Sequence, residues 1–309
     1  MRRSVLPVVS AIALCALVAP PAVALQVGLS DQHARMFTEP LYRRLHSHFA
    51  RLVVPWDVAL ASGYVRRTTA AWIAGARRAG VQPSIAFISA RYRGGIGVAP
   101  TRSQYRRAFV AFRHRWPTVR VFTPWNEVNH SAQPTARRPA LAATYYDVLR
   151  AACPRCTVVA ADLLDTDNLA GWLPRFLRAV HGSPRLWGLH NYRDANRDHA
   201  LARSWTLRLT QLVRGRIWVT EGGGIVGMRN TFSGRTVWPY DPQRAARSLS
   251  HLLELVTAPE VRRRYTRFYA YSFFGTWSRH RFTTPWDSGL VDLQGRPRPA
   301  YAVLLGAMR

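Results

Sequence analysis

This chain predicts a single (β/α)8 barrel, and three observations in its sequence lead there. Short apolar runs alternate eight times with amphipathic stretches. The runs are rich in Val, Ile, Phe and Ala and apolar almost throughout, as parallel strands buried on both faces are. The length that follows an N-terminal leader suits one such barrel. Strand-like runs fall at residues 26–30, 51–56, 83–89, 119–124, 157–161, 186–190, 216–220 and 268–273.

Helix-like stretches follow the runs in turn, at residues 39–49, 66–79, 101–115, 138–152, 168–180, 196–213, 241–256 and 298–308. The second ends on Ala79-Gly80, a C-terminal stop. Thr101 before Ser103, and Asp241 before Pro242, supply N-terminal starts. A doubly wound open sheet would alternate in the same way. It would want a glycine-rich phosphate loop after its first strand, and Gly28-Leu-Ser-Asp31 lacks that spacing. No internal linker and no low-complexity segment divides the chain.

The leader is residues 1–24. Arg2 and Arg3 give it a charged start, residues 5–18 an apolar stretch containing Pro7, and Ala22-Val-Ala24 a small-residue cleavage site. This predicts an exported chain with one domain at residues 25–309. The apolar stretch is short for a membrane span and no later run is longer, so no stable insertion is expected after cleavage. An uncleaved N-terminal anchor is the competing reading.

Cys15 leaves with the leader, and the remaining cysteines lie in Cys153-Pro-Arg-Cys156. A zinc site would need further ligands, and no second Cys pair or nearby His pair offers them. A redox Cys-x-x-Cys belongs at a helix start after a strand. This pair instead follows a helical stretch, which favours a small structural disulfide between Cys153 and Cys156.

The formal charge of +28 suggests an anionic partner such as nucleic acid. All 44 basic residues are Arg and none is Lys, which fits biased codon usage. The arginines are dispersed in pairs such as Arg43-Arg44, Arg66-Arg67 and Arg106-Arg107, largely on helical stretches where they form solvated faces. No nucleic-acid partner is therefore expected. An acidic polysaccharide remains open, and Arg91, Arg93, Arg193, Arg229 and Arg279 are the arginines placed to meet one.

Two carboxylates stand at strand ends. Glu127 follows the fourth run in Val121-Phe-Thr-Pro-Trp-Asn-Glu-Val-Asn-His130, and Glu221 follows the seventh in Ile217-Trp-Val-Thr-Glu-Gly-Gly-Gly224. Glutamates from two strands can face each other across a barrel mouth, one as acid and base, the other as nucleophile. The competing readings are a helix-start cap for Glu127 and a turn residue for Glu221.

Asn126-Glu127 after strand four, His190-Asn-Tyr192 after strand six and Glu221 after strand seven together resemble the clan A retaining glycoside hydrolases. The C-terminal Trp286-Asp-Ser-Gly-Leu290 and Gly295-Arg-Pro-Arg-Pro-Ala-Tyr301 also resemble the end of such domains. No family within the clan is singled out. The resemblance implies hydrolysis of a β-linked poly- or oligosaccharide, with Glu221 as nucleophile and Glu127 as acid/base. Asn126 suits the sugar 2-hydroxyl. His190 and Tyr192, two apart on a strand, would share a face, with Tyr192 donating to Glu221. The negative Glu221 would then keep Glu127 protonated.

Trp277 is expected to floor the sugar site and Trp125 to contact substrate, with Trp56, Trp238 and Trp286 also near strand ends; each is equally a core-filling candidate. Asp31, Asp57, Asp162, Asp165 and Asp287 offer hydroxyl contacts or loop ties to Arg. No cofactor or metal is expected, and a monomer is. The rival functions are a carbohydrate-binding pseudoenzyme and an Arg-driven binder of anionic cell-wall polymers. A metal-dependent hydrolase would want His-x-His after strand one, where Ser30-Asp-Gln-His33 offers a single His.

Overall fold

A computed structural model of the protein describes residues 24–230, 233–279 and 283–309. The expected signal peptide, apart from Ala24, lies outside them. Strands one to four are Gln26–Ser30, Phe49–Pro55, Gln82–Ile88 and Val121–Thr123. Strands six to eight are Leu186–His190, Arg216–Gly222 and Tyr265–Tyr271. Strand five is split into Thr157–Val158 and Asp162–Leu164.

All neighbours pair in parallel, and the two pieces of strand five form the two ends of the sheet order. Because those ends belong to one segment, the sheet closes on itself. The segment between the pieces bonds alternately to both sides. Val159 donates its N–H to Phe122 O, Ala160 donates to Leu186 O, and Ala161 O accepts from Gly188. This is the (β/α)8 barrel that the alternation of apolar runs predicts.

Helices cover the outside, including Tyr64–Arg78, Arg102–Arg115, Pro139–Ala152, Leu169–Ala179, Pro242–Thr257 and Pro299–Ala307. Between barrel and helices, Phe87, Phe109, Phe112 and Phe122 pack mostly edge to face at 5.1–6.2 Å. Phe87 and Phe122 face each other nearly parallel across adjacent strands. At the N-terminal mouth, Arg267 lies between the rings of Phe49 and Trp218, at 3.8 and 4.1 Å, and donates to Gln26 and Gln82. That mouth is plugged, so the opposite end is left for chemistry.

Three elements depart from the sequence reading. The first helix is only Pro40–Arg44, and His46 takes a left-handed φ of 49°. Phe49 is thereby freed to open strand two, where it faces Gln82 of strand three. The stretch expected to be one helix at 196–213 is broken into Tyr192–Asn196, Leu201–Arg203 and Trp205–Leu212. The buried Asp194 carboxylate accepts the N–H groups of Trp205 and Thr206, and Ser204 caps Leu207, so a new helix starts there. Strand seven runs on through Glu221 and Gly222 and does not stop at Thr220. Glu221 is thus held by a strand, opposite His190, and not by a turn.

Cys153 and Cys156 are joined in a disulfide directly after helix Pro139–Ala152, as the sequence predicts. Among the described residues no helix is long and apolar enough to cross a membrane.

The glycines after Glu221 serve close packing. A Cβ on Gly224 would stand 1.8 Å from the carbonyl oxygen of Ala245 in helix Pro242–Thr257. Backbone meets backbone there, so Gly224→Ala should cost about 1–3 kcal/mol or more, read as a lower urea midpoint with an unchanged slope.

Candidate active site

Six barrel strands deliver side chains to one C-terminal cluster. Strand two contributes Arg51, the end of strand four Asn126 and Glu127, strand five Asp162, strand six His190, strand seven Glu221 and strand eight Tyr271. Arg51, Asp162 and His190 are completely buried. An unpaired charge in such a place would be prohibitively costly, so the partners define the site.

Arg51 is the hub. Its Nη1 donates to Glu221 Oε1 at 2.5 Å and to Ser30 Oγ at 3.3 Å. Its Nη2 donates to Asn126 Oδ1 at 2.7 Å and to Asp162 Oδ2 at 2.5 Å. Asp162 also accepts from Thr220 at 2.7 Å. A Cβ on Gly188 would stand 2.2 Å from Asp162 Oδ1, so the neighbouring strand needs glycine to make room.

Glu127 reaches the cluster through a left-handed backbone, φ 46°, which costs a non-glycine residue about 1–2 kcal/mol. Asn126 N–H bonds Phe87 O, and Val128 N–H bonds Asp162 O, so both sides of the kink are tied to strands three and five. Glu127 Oε1 lies 3.3 Å from His190 Nδ1. The same nitrogen is 3.8 Å from Glu221 Oε2, and His190 Nε2 is 3.8 Å from Asp162 Oδ2. Tyr192 donates its hydroxyl to Glu221 Oε2 at 3.4 Å. It does so from the first turn of the short helix Tyr192–Asn196 and not from strand six, which ends at His190.

The charges bias one another. Burial alone would raise Asp162, but Arg51 and His190 outweigh it and bring the carboxyl down to about 2. Burial alone would lower His190, yet Glu221, Asp162 and Glu127 together raise it to about 9. Burial would raise Glu127 too, but the hydrogen bond and charge of His190, with His130 and Arg51, hold it below the usual carboxylate range. The expected proton on Glu127 is therefore opposed by a neighbour that the sequence reading treated as a sugar contact.

One carboxylate oxygen of Glu127, one of Glu221 and a ring nitrogen of His190 lie within 4.8 Å of one another. By distance alone this trio could hold a cation. The guanidinium already bound to Glu221 Oε1 makes it a poor donor set, because a divalent ion would sit beside a buried positive charge.

The cluster opens into a cavity of about 800 Å³. Asn126, Glu127, Tyr192, Glu221, Trp238 and Trp286 are among the residues that line it. The Trp286 ring stands edge-on to Tyr192 at 5.0 Å. The two tryptophans favoured from the sequence are placed differently. Trp125 is completely buried, stacked on Tyr145 at 5.1 Å and bonded to Gln133 at 2.9 Å. Trp277 is buried with its ring against Gly227, and its indole N–H is donated to Thr284 O at 2.6 Å. Neither lines the cavity, whereas Trp286 and Trp238 do.

The other strand-end aspartates are mostly ties. Asp31 accepts the N–H groups of Phe273 and Phe274, and Asp287 pairs with Arg298 at 2.8 Å. Of the five arginines placed to meet an acidic substrate, Arg193 lines the cavity, and Asp167 holds it at 2.6 Å. Arg51 and the inward role of Asp162 were missed. The available signal was a lone arginine inside the apolar run Phe-Ala-Arg-Leu-Val-Val-Pro at 49–55.

The architecture is similar to that of solved glycoside hydrolase barrels. No family model and no curated protein matches the sequence. Among solved structures, the catalytic core of xylanase A has a TM-score of 0.61 at 15% identity, covering 93% of this chain and 99% of that one. The GH53 catalytic domain of Ignisphaera aggregans has a TM-score of 0.64 at 14% identity, covering 93% and 97%. A family 39 glycoside hydrolase from Bacteroides cellulosilyticus WH2 has a TM-score of 0.58 at 15% identity. The match covers 93% of this chain but 64% of that enzyme. At such identities the likeness is one of fold.

Arg51→Ala should destabilise the protein by about 3–5 kcal/mol, since it leaves Asp162 and Glu221 buried without their cation. His190 provides a pH signature. Its folded pKa is raised, so its stabilising contribution is complete below about 6.5 and is lost as pH rises through about 9. Urea midpoints should fall across that window in the wild type and stay flatter in His190→Asn.

Proposed function

We propose that this protein is an exported retaining glycoside hydrolase that cleaves β-linked, uncharged glycans by double displacement. The observation that carries this reading is the pair Glu127 and Glu221, set on strands four and seven. Their nearest-placed carboxylate oxygens are within 4.8 Å of each other, and both residues line a cavity of about 800 Å³. Retaining enzymes hold their two carboxyl groups about 5–5.5 Å apart, and inverting enzymes about 6.5–9.5 Å.

Glu221 is the nucleophile in this reading. Arg51 and Tyr192 both donate to it, which holds its two oxygens in place for attack on the anomeric carbon. Glu127 protonates the departing oxygen and then takes a proton from the water that releases the glycosyl-enzyme. Asn126 Oδ1 accepts from Arg51, which leaves its amide N–H groups for a 2-hydroxyl, a contact that strengthens as charge builds on the ring. Trp286 and Trp238 offer aromatic faces to the C–H faces of a pyranose.

Export is supported by the leader pattern in the sequence and by the Cys153–Cys156 disulfide, which suits an oxidising compartment. The uncharged substrate is supported by the arginines, since among the described residues only Arg193 and Arg197 line the cavity and Arg193 is already paired. The solved structures of similar fold include a fungal β-1,4-galactanase and xylanase A.

Glu127→Gln and Glu221→Gln should each reduce turnover of an aryl β-glycoside by roughly 10⁴-fold or more while the fold survives, because no neighbour replaces either carboxyl. Azide should restore part of the activity of Glu221→Gly as a glycosyl azide of inverted configuration. Full activity in either Gln variant removes the assignment.

Cleavage of neutral glycans should also change little between low and physiological salt, since exposed arginines are screened within about 8–10 Å. Selective, salt-sensitive cleavage of a uronic-acid polymer would favour the anionic alternative instead.

A further inference from the structure

We infer that the acid/base of this site is not Glu127 alone but a unit of Glu127, His190 and Asp162, in which His190 stores the proton that Glu127 delivers and Asp162 fixes which ring nitrogen exchanges it. This rests on the glycosidase reading above. The geometry is a line of three groups. Glu127 Oε1 and His190 Nδ1 are 3.3 Å apart, and His190 Nε2 faces Asp162 Oδ2 at 3.8 Å. His190 is completely buried, and its Nε2 has no hydrogen-bond partner. A buried polar nitrogen left in this way is rare, and the carboxylate facing it stabilises an N–H at that position. The exchangeable proton is then the one on Nδ1, which points at Glu127.

Proton counting gives the same result. The charged groups acting on His190 are Glu127 after strand four, Asp162 on strand five and Glu221 on strand seven, the Tyr192 ring stands edge-on to it at 6.4 Å, and Arg51 on strand two is bonded to the same Asp162 and Glu221. His130 lies beyond Glu127. With Arg51 paired to Asp162 and Glu221, the mobile proton is the one that His190 and Glu127 share. Imidazolium with carboxylate, and imidazole with carboxylic acid, carry the same net charge and differ by one short transfer.

At rest the proton belongs on His190, as the raised imidazole and the lowered Glu127 both indicate. Substrate changes the balance. The Glu127 side chain is 22% exposed, against 9% for Glu221 and none for His190 or Asp162. A sugar entering the cavity therefore takes water chiefly from Glu127 and favours its neutral form.

The steps then close. The Nδ1 proton passes to Glu127, leaving neutral imidazole with its Nε2–H toward Asp162. Glu221 attacks the anomeric carbon, the glycosidic C–O bond breaks, and its electron pair takes the proton from Glu127. In the second half, water gives a proton to Glu127 as its oxygen attacks the anomeric carbon. The bond to Glu221 breaks with its pair returning to the carboxylate, and Glu127 returns the proton to His190.

Two measurements test this. The first needs no substrate: His190 ring nitrogens are titrated by NMR in the full chain, labelled at histidine. A midpoint near 9 is expected, falling by at least one pH unit in Glu127→Gln. A midpoint in the ordinary histidine range, or one indifferent to Glu127→Gln, overturns the proposal. The second compares His190→Asn with wild type on aryl β-glycosides with a poor and a highly activated leaving group. For the poor leaving group, kcat/KM at pH 8 should fall at least tenfold and its basic limb should move acidward, within the range general acid catalysis contributes. For the activated one, which needs no proton, kcat/KM should change less than threefold. Equal losses on both substrates with an unmoved pH profile would show a purely structural His190 and overturn the unit. Failure of the glycosidase reading is separate, since it appears as Glu127→Gln and Glu221→Gln variants that keep wild-type hydrolysis.

Discussion

The site depends on one buried guanidinium. Arg51 has no exposure to water and divides its donors between Glu221, Asp162, Asn126 and Ser30. Without it, two carboxylates would share a desolvated space a few ångströms apart, and at least one would have to take up a proton. With it, Asp162 stays ionised, Glu221 is bonded to a fixed cation, and Asn126 is fixed in one amide orientation. Strands one, two, four, five and seven are thereby locked to one another at the C-terminal mouth. The opposite mouth is closed by a second arginine, Arg267, held between aromatic rings. One barrel thus uses the same residue type to plug one end and to organise the other.

From this hub the remaining geometry follows. Asp162 can approach Arg51 because Gly188 leaves a gap beside it, and Thr220 takes its second oxygen. His190 is then enclosed by three carboxylates, which overcome the burial that would otherwise strip its proton. Glu127, entering through a left-handed turn, meets that imidazole as it faces the cavity. The two glutamates are the same residue type at equivalent strand ends, yet one faces a guanidinium and the other an imidazole. In the proposed mechanism these different surroundings separate a nucleophile from an acid/base.

The dispersed arginines belong to the same account. A charge of +28 spread over helices is compatible with a cavity in which few cations are free. Sequence charge describes the surface as a whole, and the cavity is shaped by the few charges that strands carry inward.

Sequence alone determined the barrel, because eight apolar runs separated by amphipathic stretches have few other ways to bury both faces of every strand. It also placed Asn126, Glu127, His190, Tyr192 and Glu221 at the C-terminal mouth, where the structure brings them together, since a strand end is a local feature. The disulfide was legible for the same reason, its cysteines being three residues apart. What sequence could not resolve is which way a side chain faces once its strand is in register. Arg51 read as the edge of an apolar run, yet its register places it at the centre of the site. Trp125 and Trp277 stand at strand ends as well as Trp286 does, yet their rings turn into the wall. Such outcomes depend on contacts between residues far apart in the chain: Arg51 with Glu221, Gly188 with Asp162, Trp277 with Gly227. Only closure of the barrel brings those partners together.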